Sequence, residues 1–483
     1  LKSFDKKQIT FDYKTTIFDE AGDVALKAVV TVEGDLKDEN NVAESVITVK
    51  HSTSPSPTNL NGTEGQNGVT LTWQAPASTT EEKTEGFVFD VAKSSGFKPD
   101  GKDLKDFVKK ASELNGYAVG LRRELHAHPE LEHELPFTEG VIVRELEKLN
   151  LDGLRPGMGR GHGVCADLVG GRPGKVLALR ADMDALPVRE ETGLPYASTN
   201  GCMHACGHDA HVAMLLTAAR LLAEARSELA GTVRFLFQPA EETVAGALSM
   251  IESGALDGVD AIVGLHTGSI WEGLEPGQIG WRVGPMMAST TTIRVELQGR
   301  GGHGATPHLT VDPIVMAAEV VSQLQTLVSR ELSPFEPAVV TFGKISGGRA
   351  HNVIADTCEL FGTMRCFNTE TDAFLKERIT ATVEGVAASM RGRGTVTFSG
   401  YLPPVVNDEA ITLRMRDILR ATLGEGSEHE VVRPSSGAED FAEYLRKVPG
   451  AFFYHCSTFG DGRDHPHHNS RFDVNESVLW TGA

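Results

Sequence analysis

The chain has 483 residues, 40% of them hydrophobic, and a formal net charge of −20. That length exceeds one ordinary domain, and the apolar content is enough for buried cores. The acidic balance offers no basic face of the kind that replaces counterions on nucleic acid, and no run of about 18 apolar residues suggests a transmembrane helix.

The first part of the chain reads as β material. "ALKAVVTVEGD" and "AESVITVKHS" alternate in the strand manner around the polar turn "LKDENNV". "STSPSPTNLNGTEGQNG" is a linker followed by turn signals, and "VTLTWQAP" is one more alternating strand. Residues 1–52 resemble bacterial extracellular immunoglobulin-like repeats. The stretch after them, within 53–103, resembles the opening strands of a fibronectin type III domain. Such a domain needs about seven strands over roughly 100 residues, so this second sandwich is incomplete.

From Leu104 the texture becomes helices and strands in alternation. "LKDFVKKASELNGYAVGLRRELHAHPEL" has helical spacing. Strands "KVLALRADMD", "TVRFLFQPAEE" and "DAIVGLH" follow, with helix-like stretches such as "HVAMLLTAARLLAEA" between them. Continuous apolar strands alternating with helices predict a doubly wound, mostly parallel sheet covered on both faces. Residues 288–403 show their own order, β-α-β-β-α-β, the ferredoxin-like pattern. The predicted catalytic domain therefore spans 104–287 and 404–483, with a satellite α+β domain inserted at 288–403.

Ligands of open α/β sheets bind outside the carboxyl ends of the strands. Three predicted strands end in polar, metal-competent residues: Asp182 and Asp184, Glu241 and Glu242, and His266. Between the first two lies "MHACGHDAH", where Cys206 and His208 flank Gly207. A thiolate and an imidazole spaced this way can share a cation. His204, Asp209 and His211 add polar groups that are hard to explain as core packing; the plainer alternative is a loop capping a helix. Adjacent glutamates in an extended segment point to different sides, so one can bind metal while the other acts as a base. Taken alone, the pair also suits a solvated helix start. In "GGHGATPH", His303 and His308 fit either a plain turn or a loop that places a donor on an oxyanion. In "DHPHHNSRFD", His465 and His467 read as exposed loop residues. Cys165, Cys358, Cys366 and Cys456 lie on apolar strands and read as buried thiols. Six cysteines in a chain this long form no disulfide framework.

These motifs carry a resemblance. "RRELHAHPELEHE", "ALRADMDALPV", "MHACGHDAH", "QPAEE", "GLH", "GGHGATPHLTVDP", "HNVIADT", "GTMR", "GAEDF" and "HHNSRFDVNE" occur in the order seen in hippurate hydrolases and indole-acetyl-amino-acid hydrolases. These belong to the zinc-peptidase superfamily of aminoacylases and glutamate carboxypeptidases. The resemblance implies a hydrolase that cuts the amide bond of N-acyl amino acids or small peptide-like substrates. It implies two divalent ions, Zn or else Mn, Co or Ni, held by Cys206, His208, Glu242, His266 and His468, with Cys206 bridging. It further implies Glu241 as the base that activates the water between the metals, and His303 as oxyanion donor from the satellite domain. Asn352 and Arg365 would orient the substrate, and the satellite domain would form a homodimer. Ala355 stands in "HNVIA" where the family has proline, and Cys202 is unusual before "MHACGH". The rival expectation is a non-catalytic surface or adhesion protein carrying a passenger hydrolase domain. The catalytic part resembles mostly intracellular enzymes, the N-terminal part exported modules.

Overall fold

The computed structural model describes residues 101–483 except 270, with side chains from 106 onward. Ahead of these it describes the strands Thr10–Lys14, Asp23–Thr31, Val46–Ser52, Thr58–Gly65, Gly68–Gln74 and Phe87–Phe89. The expected immunoglobulin-like and fibronectin-like arrangements of 1–52 and 53–103 lie outside the described residues. Leu1–Pro99 and Asp100–Ala483 form two compact units.

In the second unit, apolar runs assemble an eight-stranded sheet. Its order is Glu428–Glu430, Ile279–Trp281, Gly450–Cys456, Ala261–Gly268, Arg172–Asp182, Ala230–Gln238, Gly163–Val169, Asp152–Met158. The four central strands, from Gly450–Cys456 to Ala230–Gln238, run parallel. The strands on either side of them, Gly163–Val169 and Ile279–Trp281, join antiparallel. The sheet is therefore mixed, with the expected parallel strands at its centre and antiparallel strands joined on either side. Gly450–Cys456 is buried at every position, as a strand covered on both faces requires. Side chains alternate between two cores: Phe235 and Phe237 enter one, with Val212 and Leu216 of the helix His208–Glu224, while Leu236 enters the other with Phe441 and Phe452.

Residues 290–402 hold a second, four-stranded antiparallel sheet. Its order is Val339–Gly347, Thr357–Arg365, Thr290–Gln298, Arg393–Leu402. Ile293, Val295 and Leu297 alternate inward and meet Leu375, Ile379 and Val383 of the helix Thr369–Ser389. Asp312, ahead of Pro313, caps one helix by accepting from Ile314 N at 2.9 Å. Asn368 caps the next by accepting from Thr371 N at 2.7 Å. Both choices satisfy orphan donors of a first helical turn. Among the described residues no helix is long and apolar enough to cross a membrane.

What this frame positions is one edge of the central sheet. Gln238 pairs with Asp182, so two neighbouring parallel strands end level. Asp184 follows one end, and Glu241 and Glu242 follow the other.

Candidate metal centre

Asp184 ties three segments together. Its carboxylate accepts from the backbone N–H of Glu241 and of Glu242, each at 3.1 Å. Its carbonyl accepts from His208 Nδ1 at 2.9 Å. The loop carrying the glutamates is bent hard: Ala240 and Val244 take φ of 54° and 64°. A β-branched residue in that region is an outlier, held only because its surroundings over-determine it. Gly246 closes the bend, since a Cβ there would lie 1.8 Å from Pro239 O.

The helix His208–Glu224 starts at Gly207, with φ of 86°. That turn swings Cys206 and His208 inward together. The donor atoms of Cys206, His208 and His266 all lie within 4.8 Å of one another. The same holds for Cys206, Glu242 and His468, and for His208, Glu241 and Glu242. Cys206 and Glu242 each belong to two of these groups, so one continuous set of sulfur, nitrogen and oxygen donors results. Cys206 Sγ lies 3.4 Å from His266 Nε2.

The donors fit divalent cations. His208 Nε2 and Glu242 Oε1 are buried with no hydrogen-bond partner, an arrangement that native structures seldom tolerate without an occupant. Burial, then Glu242 and Glu241, push the Cys206 thiol well above its ordinary range. Burial, then Glu439, Asp440 and Glu242, push Glu241 well above the usual carboxylate range. Burial, opposed by His208, raises Glu242 to about 7. Groups held towards neutrality by burial and by one another ionise only beside a counter-charge, which a divalent ion would supply. Burial opposes charge on His208, yet Asp182 and Asp184 raise it to about 10. The extra proton would sit on the unpartnered Nε2, where a cation is the alternative occupant. Mixed thiolate, imidazole and carboxylate donors suit divalent transition-metal ions.

Behind the donors lies a fully buried charge cluster. Arg180 donates to Asp182 at 2.8 Å, to Glu439 and Asp440 at 2.9 Å each, and to Gln238 at 2.8 Å. Asp440 also accepts from Gln238 Nε2 and from Ala247 N, each at 2.8 Å. Glu439, Asp440 and Glu241 lie close enough to share an ion, but Asp440 already spends both oxygens on Arg180, Gln238 and Ala247, and Glu439 spends Oε1 on Arg180 and Phe441 N. A second buried network joins Arg122, His126 and Asp209, with Asp209 Oδ2 3.0 Å from Arg122 Nε and 2.7 Å from His126 Nδ1. Asp209, a polar neighbour in the sequence motif, thus faces away from the donors.

His468 sits on an exposed turn with φ of 63° and brings Nε2 to 3.5 Å from Glu242 Oε1. His467, expected on an exposed loop, is half-buried instead, its ring 4.9 Å from that of His266. The cause is contact with backbone: a Cβ on Gly268 would lie 2.1 Å from His467 Nε2. His303 and Asn352 are brought together elsewhere, since Gly302–His303 pairs with Val353–Ile354 and Asn352 O accepts from Gly304 N at 2.9 Å. Among the described residues neither side chain joins the donor cluster by a hydrogen bond. Arg365 is half-buried at the base of the four-stranded sheet, with Nη1 donating to Ser436 O at 3.0 Å.

A mixed α/β sheet with sulfur, imidazole and carboxylate donors at its strand ends defines a metal-dependent hydrolase. Residues 178–483 match peptidase family M20/M25/M40, and the chain belongs to that family. It is 42% identical over 371 residues to the N-acetyl-L-cysteine deacetylase of Bacillus subtilis (strain 168), covering 76% of this chain and 86% of that protein. It is 39% identical over 382 residues to the IAA-amino acid hydrolase ILR1-like 4 of Arabidopsis thaliana, covering 78% and 85%. A solved structure, that of the Bacillus subtilis YXEP protein, described as a dinuclear metal binding peptidase of the M20 family, is similar at 36% identity with a TM-score of 0.66. It covers 77% of this chain and 96% of that one.

Proposed function

We propose that this chain hydrolyses the amide bond of N-acyl amino acids, with Cys206, His208, Glu242, His266 and His468 holding two divalent cations and Cys206 shared between them. The observation that carries this reading is the interlocked donor set, in which Cys206 and Glu242 each serve two groups. Two such cations, when bound, polarise the scissile carbonyl and make water more acidic. Glu241 takes the proton from the attacking water and returns it to the departing nitrogen, a role suited to a buried carboxylate at the edge of the donor set. His303 donates to the developing oxyanion, and Asn352 and Arg365 orient the substrate. Residues 288–403 act as a ferredoxin-like satellite domain that brings His303, Asn352 and Arg365 to the substrate. Relatives named for acetylcysteine and for indole-acetyl amino acid conjugates support small N-acyl amino acids as the substrate class.

The expected metal content is about two equivalents per chain, with turnover lost to a chelator and restored by Zn, Mn, Co or Ni. Elemental analysis, alongside assays on N-acetylcysteine and acyl-glycines, measures both. Full activity in metal-free protein would exclude the mechanism.

The satellite segment also supports a homodimer. Phe335 is 90% exposed, and Ile345 and Val353 are each more than half exposed. These exposed apolar side chains are the candidate contact residues of that dimer. Sedimentation should show a dimer that Phe335→Ser weakens. A monomer at all concentrations would exclude it.

A further inference from the structure

Thr267, next to the last residue of the strand Ala261–Gly268, has every polar atom held by an imidazole. Its N–H donates to His211 Nε2 at 2.8 Å. Its hydroxyl meets His455 Nδ1 at 2.8 Å. Its carbonyl lies 2.8 Å from His266 Nδ1 and 3.1 Å from His467 Nε2. The ring protons follow, because a peptide N–H can only donate and a carbonyl can only accept. His211 carries its proton on Nδ1, where it donates to Asp182 Oδ1 at 2.5 Å. His266 carries its proton on Nδ1, and His467 on Nε2. His455 donates from Nε2 to Val478 O at 3.1 Å, so its Nδ1 accepts the threonine hydroxyl.

Asp182 is itself fixed by Arg180 Nη1 at 2.8 Å. The chain of contacts therefore runs Arg180, Asp182, His211, the Thr267 peptide, His266, and is buried throughout. With both nitrogens engaged, His211 has no lone pair to offer. Although Asp182, His208 and His211 lie close enough to share an ion, His211 does not act as a ligand there.

We propose that His211 is a positioning residue for His266. By anchoring the Thr267 peptide to Asp182, it holds the carbonyl that takes the Nδ1 proton of His266, and this leaves the Nε2 lone pair facing Cys206 Sγ. The inference rests on the reading of His266 as a cation ligand. Outer partners of this kind typically change metal affinity by about 10–100-fold when removed.

Two substitutions separate positioning from packing. A glutamine amide oxygen reaches about as far as Nε2, so His211→Gln keeps an acceptor for Thr267 N–H. The shorter His211→Asn keeps a donor for Asp182 but cannot reach Thr267. Titration of metal-free protein with Zn should show one of two equivalents weakened by about 10–100-fold in His211→Asn, with most of the affinity recovered in His211→Gln. Two equivalents bound by His211→Asn as tightly as by the parent would overturn the proposal. Long-range proton–nitrogen correlation spectra of the metal-free parent give a readout that needs neither variant nor cation. His211 and His266 should both appear as Nδ1–H tautomers, and an Nε2–H form of either would also overturn it. Failure of the parent to bind any cation would instead count against the function proposed above, while the tautomers still decide this inference.

Discussion

Glu241→Gln should lower turnover by about a hundred- to ten-thousand-fold while both cations stay bound. Glutamine keeps the size and one carbonyl oxygen of the side chain but cannot accept the proton of water. The surroundings favour this separation of roles. Glu241 is buried, and its Oε1 has only a long contact of 3.5 Å from Asp440 N. Burial and its acidic neighbours raise the proton affinity of Glu241, and cations beside it would keep it ionised and so able to accept a proton.

Glu242→Gln should fail in another way. Glu242 shares one donor group with Cys206 and His468 and another with His208 and Glu241. Removing its charge should release one cation, and excess metal should restore part of the turnover. Metal occupancy and turnover, measured on both variants, decide between the two assignments. A Glu241→Gln protein that loses metal, beside a Glu242→Gln protein that keeps both ions and is inert, would reverse them.

The carboxyl edge of the sheet was legible because apolar runs there break abruptly into Asp, Glu or His. That pattern has few structural explanations when three strands share it. The edge strands were not legible. Asp152–Met158 is "DGLRPGM", whose Pro156 and two glycines read as a turn. It persists as a strand at the sheet margin, where its pairing with Gly163–Val169 is irregular and the missing N–H costs little. Gly163–Val169 joins Ala230–Gln238 antiparallel, as Ile279–Trp281 joins Gly450–Cys456 on the other side, and so the sheet is mixed. His467 was misread because nothing local shows that Gly268 leaves room for its ring. Thr267 and His211 escaped for a similar reason: their importance lies in which atom faces which, a property of strand register.

Arg180 left a signal that could have been used. It is the one charge within the apolar run "VLALRA". A fully buried arginine must find carboxylates. Asp182, two residues on, lies on the same face of the strand. The other partners, Glu439 and Asp440, are some 260 residues away in sequence, and only the topology brings them near.

That guanidinium supports the second large expected effect. Arg180→Met preserves most of the bulk but leaves Asp182, Glu439 and Asp440 buried without their counter-charge, and Gln238 Oε1 without its donor. Breaking a buried ion pair from one side costs about 3–5 kcal/mol, since the remaining charges cannot return to water. Equilibrium unfolding in urea should show the loss as a lower midpoint at unchanged slope. Arg160→Ala serves as comparator, because its pair with Glu252 at 3.3 Å has both side chains more than half exposed. Exposed pairs contribute about 0–1 kcal/mol. Equal shifts in the two variants would show that the buried cluster does not brace the fold. Arg180 makes no hydrogen bond to the donors, yet it fixes Asp182 and the Glu439–Asp440 turn beside Glu241. Turnover should therefore fall in Arg180→Met even at urea concentrations where the variant is still folded, and metal titration should show weaker binding rather than an intact centre.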